Sequence, residues 1–99
     1  MEAEEIYLSS ISVWEITMKY HLGKLELISD PSHYVPKRRQ EYAIITLPFE
    51  ERDAFQLGKL PHIHKDPFDR MLIAQAISHN LTILTSDKAI TQYPVATYW

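Results

Sequence analysis

Apolar residues recur along this chain with helical spacing in some stretches and form short strand-like runs in others. The clearest stretch with helical spacing is Phe68–Ile77. Its apolar positions mostly follow the i, i+3, i+4 spacing of a helix packed against a core. The residues at the start of this stretch are typical of a helix N-terminus. Asp66 suits the N-cap, Pro67 suits the first helical position, and Asp69 suits an acidic first turn. We therefore predict a buried helix here, which Asn80 can end.

Short β-branched runs separate this helix from other helical segments. The runs predict strands at Ile6–Leu8, Ala43–Leu47, Leu81–Thr85 and Val95–Trp99. The predicted helices are Ile11–Tyr20, a segment that starts after Asp30 and Pro31, Phe49–Leu60, the stretch at Phe68–Ile77, and a short turn at Lys88–Gln92. Because strands alternate with helices, residues 1–99 are expected to form a single α/β domain of three layers with a mostly parallel sheet.

Composition narrows the class of protein. The 99 residues carry a formal net charge of −3, which lacks the basic footprint of a dedicated nucleic-acid binder. No cysteine is present, so the chain has no disulfide framework and no thiolate chemistry, in agreement with a reducing compartment. No apolar run approaches the roughly 18 to 20 residues of a membrane span, and no basic leader precedes an apolar core. We expect a cytoplasmic protein without a membrane partner.

Three aspartates fall at places where an α/β sheet binds ligands. Asp66 and Asp69 start the central helix, and Asp87 follows the strand predicted at Leu81–Thr85. Helix capping explains each aspartate taken alone. As a set they converge on the C-terminal edge of a parallel sheet, where a hard cation would relieve their repulsion. Mg²⁺ or Mn²⁺ with oxygen ligands is the natural occupant, and its bound water can attack a phosphodiester.

Glu15 lies among apolar residues of the first predicted helix. A carboxylate in such surroundings is costly unless it is hydrogen-bonded, paired or bound to a cation. The alternative is that Glu15 lies on a solvent-exposed stripe and pairs with Lys19, four residues on. The segment itself supports both interpretations.

Other types of site are less well supported. The spacing of His62 and His64 near Asp66 matches no closed zinc motif. A loop position fits the two histidines better, either on the substrate side or exposed to solvent. The chain has no Gly-x-Ser-x-Gly elbow, and its two glycines cannot form a glycine-rich phosphate loop. The basic cluster Lys37–Arg39 is typical of a solvated face, and it could also contact RNA phosphates or an acidic partner.

Three stretches together resemble PIN-domain proteins of the VapC toxin type. They are SSISVWEITMKYHLGKLEL, HKDPFDRMLIAQAISHNLTILTSD and the terminal VATYW. The resemblance covers about Glu5 to Trp99. It implies a PIN-like α/β/α fold, endoribonuclease chemistry that depends on Mg²⁺ or Mn²⁺, an RNA substrate, and restraint by a cognate antitoxin protein.

The resemblance also implies roles for individual residues. By motif match Glu15, Asp69 and Asp87 are catalytic metal ligands, and Asp66 supports them. Asp69 is preferred to Asp66 as the main ligand because it lies inside the first turn, whereas Asp66 is more easily used by the cap. The residues expected on the substrate side are Ser86, His64 and Arg70.

The resemblance includes one departure from the family pattern. PIN domains open with a strand that ends in an aspartate, whereas this chain begins where the family's second strand begins. We therefore expect an N-terminally truncated PIN domain that closes its sheet differently or completes it as a homodimer, because unpaired interior strand edges are costly. Two functions follow: an RNA-cleaving toxin, or a catalytically weak or inactive remnant that acts through protein interaction or self-association.

Overall fold

The computed structural model describes residues 5–99, and the chain divides between Pro48 and Phe49 into two compact units. The first unit contains β1 (Tyr7–Ser9), α1 (Ser10–His21), α2 (Pro31–Glu41) and β2 (Ile45–Leu47). The second unit contains α3 (Glu51–Leu57), α4 (Pro67–Ser78), β3 (Ile83–Leu84), α5 (Lys88–Thr91) and β4 (Thr97–Tyr98). Each predicted helix and strand is present.

Strand pairing is parallel in both units, as predicted. β1 pairs with β2, with Tyr7 opposite Ile45, and β3 pairs with β4, with Ile83 opposite Thr97. Across residues 5–99 the hydrogen bonds form two two-stranded sheets, one in each unit. The α/β class with parallel strands is therefore confirmed, although the hydrogen-bonded ladders are shorter than the β-branched runs.

Side-chain caps determine where the helices start. The N-caps of α1, α2, α4 and α5 are Ser9, Asp30, Asp66 and Asp87. Each of these side chains accepts a hydrogen bond from a backbone N–H of its helix's first turn, a group that has no partner inside the helix. Pro31 and Pro67 begin α2 and α4, where a missing N–H costs nothing. The start of α4 thus follows the sequence prediction residue by residue.

Three helices end in the same type of turn, with a residue of positive φ just after the cap. These residues are Gly23, Ala43 and Asn80, with φ of 73°, 52° and 54°. At the end of α2, the N–H of Ala43 donates to the carbonyl of Gln40 at 3.4 Å, and the N–H of Ile44 donates to Arg39 at 2.9 Å. This is a Schellman motif. Alanine is the unfavourable choice in it, because a Cβ in the left-handed region costs roughly 1–2 kcal/mol.

Replacing Ala43 with Gly is expected to raise the free energy of unfolding by about 1 kcal/mol, because glycine adopts the left-handed conformation without the Cβ penalty. Urea denaturation of both proteins measures the change. The matched control is Ala54→Gly, at an exposed position inside α3, which is expected to lower the same quantity by about 1 kcal/mol. A loss of stability in both variants would contradict the strain assigned to Ala43.

The core of the second unit is built on α4. Its buried cluster consists of Leu60, Ile73, Ala74, Ile90 and Tyr93. Ile73 is fully buried and Tyr93 is only 3 % exposed, so the tyrosine ring belongs to the core although its hydroxyl needs polar partners. Within residues 5–99, no helix combines the length and apolar character needed to cross a membrane.

Candidate functional site

The first turn of α4 carries the two predicted acidic residues. Oδ1 of Asp66 accepts the N–H of Asp69 at 3.0 Å, so Asp66 is engaged by the cap. The Asp69 side chain is 24 % exposed, and its Oδ2 lies 3.1 Å from Nε2 of His64. Among the described residues, no group donates to its Oδ1. Each of the two carboxylates thus has one engaged oxygen, and the preference for Asp69 over Asp66 as the main ligand stays a prediction.

The hydroxyl of Tyr93 connects the loop before α4 to its first turn. It accepts the backbone N–H of His64 at 3.1 Å and Nη1–H of Arg70 at 3.0 Å, and it lies 2.8 Å from Nδ1 of His64. The two donors fill both lone pairs of the oxygen, so its own proton is directed to Nδ1. The carbonyl of His64, the other acceptor in reach, is farther away at 3.5 Å. A neutral His64 ring therefore carries its proton on Nε2 and donates it to Asp69.

His64 and Arg70 therefore have partners inside the protein. Arg70 also donates from Nη1 to the carbonyl of Pro61 at 2.8 Å. With the Tyr93 contact to the His64 backbone, this bond fixes the loop at two points. The substrate-side roles of His64 and Arg70 stay predictions, and so does that of Ser86, which is exposed.

Asp87 follows the end of β3 by three residues and caps α5. Its Oδ1 accepts the N–H of Ala89 at 2.9 Å, and the residue is exposed. In the other unit, Oε2 of Glu15 pairs with Nζ of Lys19 at 2.8 Å, and the glutamate side chain is 24 % exposed. This ion pair is the surface arrangement that the sequence left open, and the assignment of Glu15 as a ligand remains a prediction.

The carboxylates of Asp66, Asp69 and Asp87 share a useful property. In each, one oxygen is engaged by a backbone cap or by His64, and within the described part of the chain the other accepts no hydrogen bond. Hard divalent cations prefer such oxygen ligands. The donor chemistry of each residue therefore suits Mg²⁺ or Mn²⁺, but among the described residues the three carboxylates do not form a close group of potential metal ligands.

Sequence reasoning missed a second polar cluster, at the C-terminal end of α4. One potential ligand atom each from Glu50, Asp53 and His79 lies within 4.8 Å of the others. Asp53 is fully buried and accepts the N–H of Glu50 at 2.7 Å, the hydroxyl of Ser78, and Nε2–H of His79 at 3.2 Å. Burial opposes its ionisation, but these hydrogen bonds outweigh burial and lower the pKa of Asp53. The sequence signal that could have located this cluster is the Glu-x-x-Asp spacing of a capping box, formed by Glu50 and Asp53.

This cluster already contains its own cation. Nη2 of Arg52 lies 2.7 Å from Nδ1 of His79, and its Nε lies 3.6 Å from Oε1 of Glu50. Because arginine only donates, Nδ1 of His79 accepts, and Nε2 carries the proton given to Asp53. The contacts of the cluster are thus complete without a metal ion, and they connect the start of α3 to the end of α4.

Comparison with known proteins gives two findings. A family model described as the PIN domain matches residues 1–96. Among solved structures, the chain is similar to a structure of FitAB bound to an IR36 DNA fragment, with a TM-score of 0.63 and 24 % identity over 99 % of this chain and 75 % of that chain. At this identity the likeness supports the fold. No curated protein matches the chain.

Proposed function

The chain belongs to the PIN-domain family, nucleases that generally use a divalent metal ion, and from this premise we propose that it is an endoribonuclease dependent on Mg²⁺ or Mn²⁺. We further propose that it is the toxin of a toxin–antitoxin pair, that it acts in the cytoplasm as a homodimer, and that a cognate antitoxin protein restrains it. The observation that carries the proposal is the PIN match to residues 1–96, because this span includes every predicted carboxylate ligand.

In this proposal Asp69 and Asp87 hold the cation, with Glu15 as a further ligand and Asp66 in support. When bound, such a cation supplies an activated water and stabilises negative charge on an RNA phosphate. The protein's own contribution is orientation. Asp69 is held through Oδ2 by His64 and Asp87 through Oδ1 by its cap, so each has a defined second oxygen for the ion.

We expect the purified chain to cleave single-stranded RNA in Mg²⁺ or Mn²⁺ and to lose this activity in EDTA, because the carboxylates cannot activate water by themselves. End-labelled RNA of mixed sequence, separated on a denaturing gel, measures the cleavage. Adding excess Mn²⁺ after EDTA is expected to restore it. A DNA of the same sequence is the specificity control, since the similar FitAB structure holds a DNA fragment.

Cleavage that persists in EDTA would contradict the metal-dependent mechanism. Preference for the DNA strand would contradict the assignment of RNA as the substrate. A folded protein that cleaves neither strand in either metal would favour the other function, an inactive PIN remnant that acts through protein interaction. Circular dichroism on the same preparation establishes that the protein is folded.

A further inference from the structure

We propose that Tyr93 is a positioning residue for Asp69 and that it acts through His64. This inference rests on the proposed function, in which Asp69 is a metal ligand. Tyr93 follows α5 and lies far from Asp69 along the chain, yet hydrogen bonds join the two side chains through a single imidazole ring. The ring of Tyr93 is buried in the core, so its hydroxyl has a fixed position.

The direction of each hydrogen bond carries the argument. The Tyr93 oxygen is saturated by N–H donors from the His64 backbone and from Arg70, at 3.1 and 3.0 Å, so its proton goes to Nδ1 of His64. That bond makes Nε2 the protonated nitrogen and directs it toward Oδ2 of Asp69, at 3.1 Å. The hydroxyl thus determines both the tautomer and the rotation of the ring that holds the carboxylate.

Ring packing alone would not determine the tautomer and the rotation of the His64 ring. The rings of His64 and Tyr93 meet edge to face with centroids 5.4 Å apart, a contact that phenylalanine would keep. Without the hydroxyl, however, Nδ1 of His64 loses its donor and the backbone N–H of His64 loses its acceptor. The ring could then rotate away, and Asp69 would lose the bond that orients it.

Tyr93→Phe is therefore expected to weaken Mn²⁺ binding about 10-fold, the lower end of the effect of removing an outer-shell partner of a metal ligand. Electron paramagnetic resonance of free Mn²⁺ measures this binding without RNA and without turnover. The matched control is Ile77→Val, which packs against the same buried cluster from the C-terminal end of α4 and also loosens the core, but makes no bond to His64 or Asp69. Its Mn²⁺ affinity is expected to stay at the wild-type value, and an equal loss in both variants would overturn the proposal.

A double-mutant cycle tests whether Tyr93 works through His64. In the His64→Ala background, Tyr93→Phe is expected to cause no further loss of Mn²⁺ affinity, because the connection is already broken. Additive losses would overturn the proposed route. His64→Gln places an amide donor near the position of Nε2 and is expected to recover part of the affinity that His64→Ala loses.

The metal-free protein offers a separate readout. ¹⁵N NMR of the imidazole is expected to report the Nε2–H tautomer for neutral His64, and the opposite tautomer would overturn the proposal whatever the protein does with metal. Wild-type protein that binds no Mn²⁺ and cleaves no RNA would refute the proposed function and, with it, the role of Asp69. Wild-type binding and cleavage, with Tyr93→Phe unchanged in both, would refute the positioning role alone.

Discussion

Replacing Asp87 with Asn is expected to lower metal-dependent RNA cleavage by about 100- to 1000-fold, the size of effect seen when one preorganised electrostatic group is removed from an active site. The fold should survive, because asparagine caps helices as well as aspartate does and can still accept the N–H of Ala89. What the variant loses is the negative charge that attracts a hard cation. Initial cleavage rates at saturating Mg²⁺, measured beside a urea unfolding curve, distinguish a loss of activity from a loss of stability.

Asp30→Asn is the matched control for this variant. Asp30 is also an N-cap, it accepts the N–H of Ser32 at 2.9 Å, and it is followed by a proline at the start of α2. It is not among the proposed ligands, so its cleavage rate is expected to equal that of the wild type. Unchanged cleavage in Asp87→Asn would contradict the ligand role of Asp87.

Features that depend on neighbours in the sequence could be predicted. The cap at Asp66, the proline after it and the stop at Asn80 define α4, because capping and left-handed turns are determined by a few adjacent residues. Boundaries were less accurate where two roles compete for one residue. Ser9 ends β1 and also caps α1, so the strand predicted at Ile6–Leu8 lies one residue later.

Features that depend on distant partners could not be predicted. The β-branched run Leu81–Thr85 marked a strand correctly, but the length of β3 depends on how much of β4 pairs with it. The contact between His64 and Tyr93 has no local signal, because each residue alone is compatible with a loop or a core. For the candidate site, the sequence located the acidic residues at helix starts, whereas the network that orients Asp69 became visible only in the structure.

Asp53→Ala is expected to lower the free energy of unfolding by about 3 kcal/mol, which is a large part of the stability of a domain of this size. The reason is that Asp53 is fully buried and accepts hydrogen bonds from the Glu50 backbone, Ser78 and His79. Removing the carboxylate leaves these donors without their acceptor in the interior, where each unsatisfied group costs about 1–3 kcal/mol. Urea denaturation at neutral pH measures the loss. Glu51→Ala, an exposed acid in the same first turn of α3, is the control and is expected to change stability by less than about 0.5 kcal/mol.

The pH dependence gives a second test of Asp53. Its pKa is lower in the folded protein than in the unfolded chain, so the unfolded chain takes up the proton first as the pH falls. The stabilisation is therefore complete above the unfolded value of about 3.9 and is lost as the pH falls through the folded value. Asp53→Asn removes this titration, so the gap in stability between it and the wild type is expected to narrow below about pH 4. A gap that stays constant or widens in acid would mean that the charge of Asp53 contributes nothing, and that α3 is joined to α4 by neutral hydrogen bonds and packing.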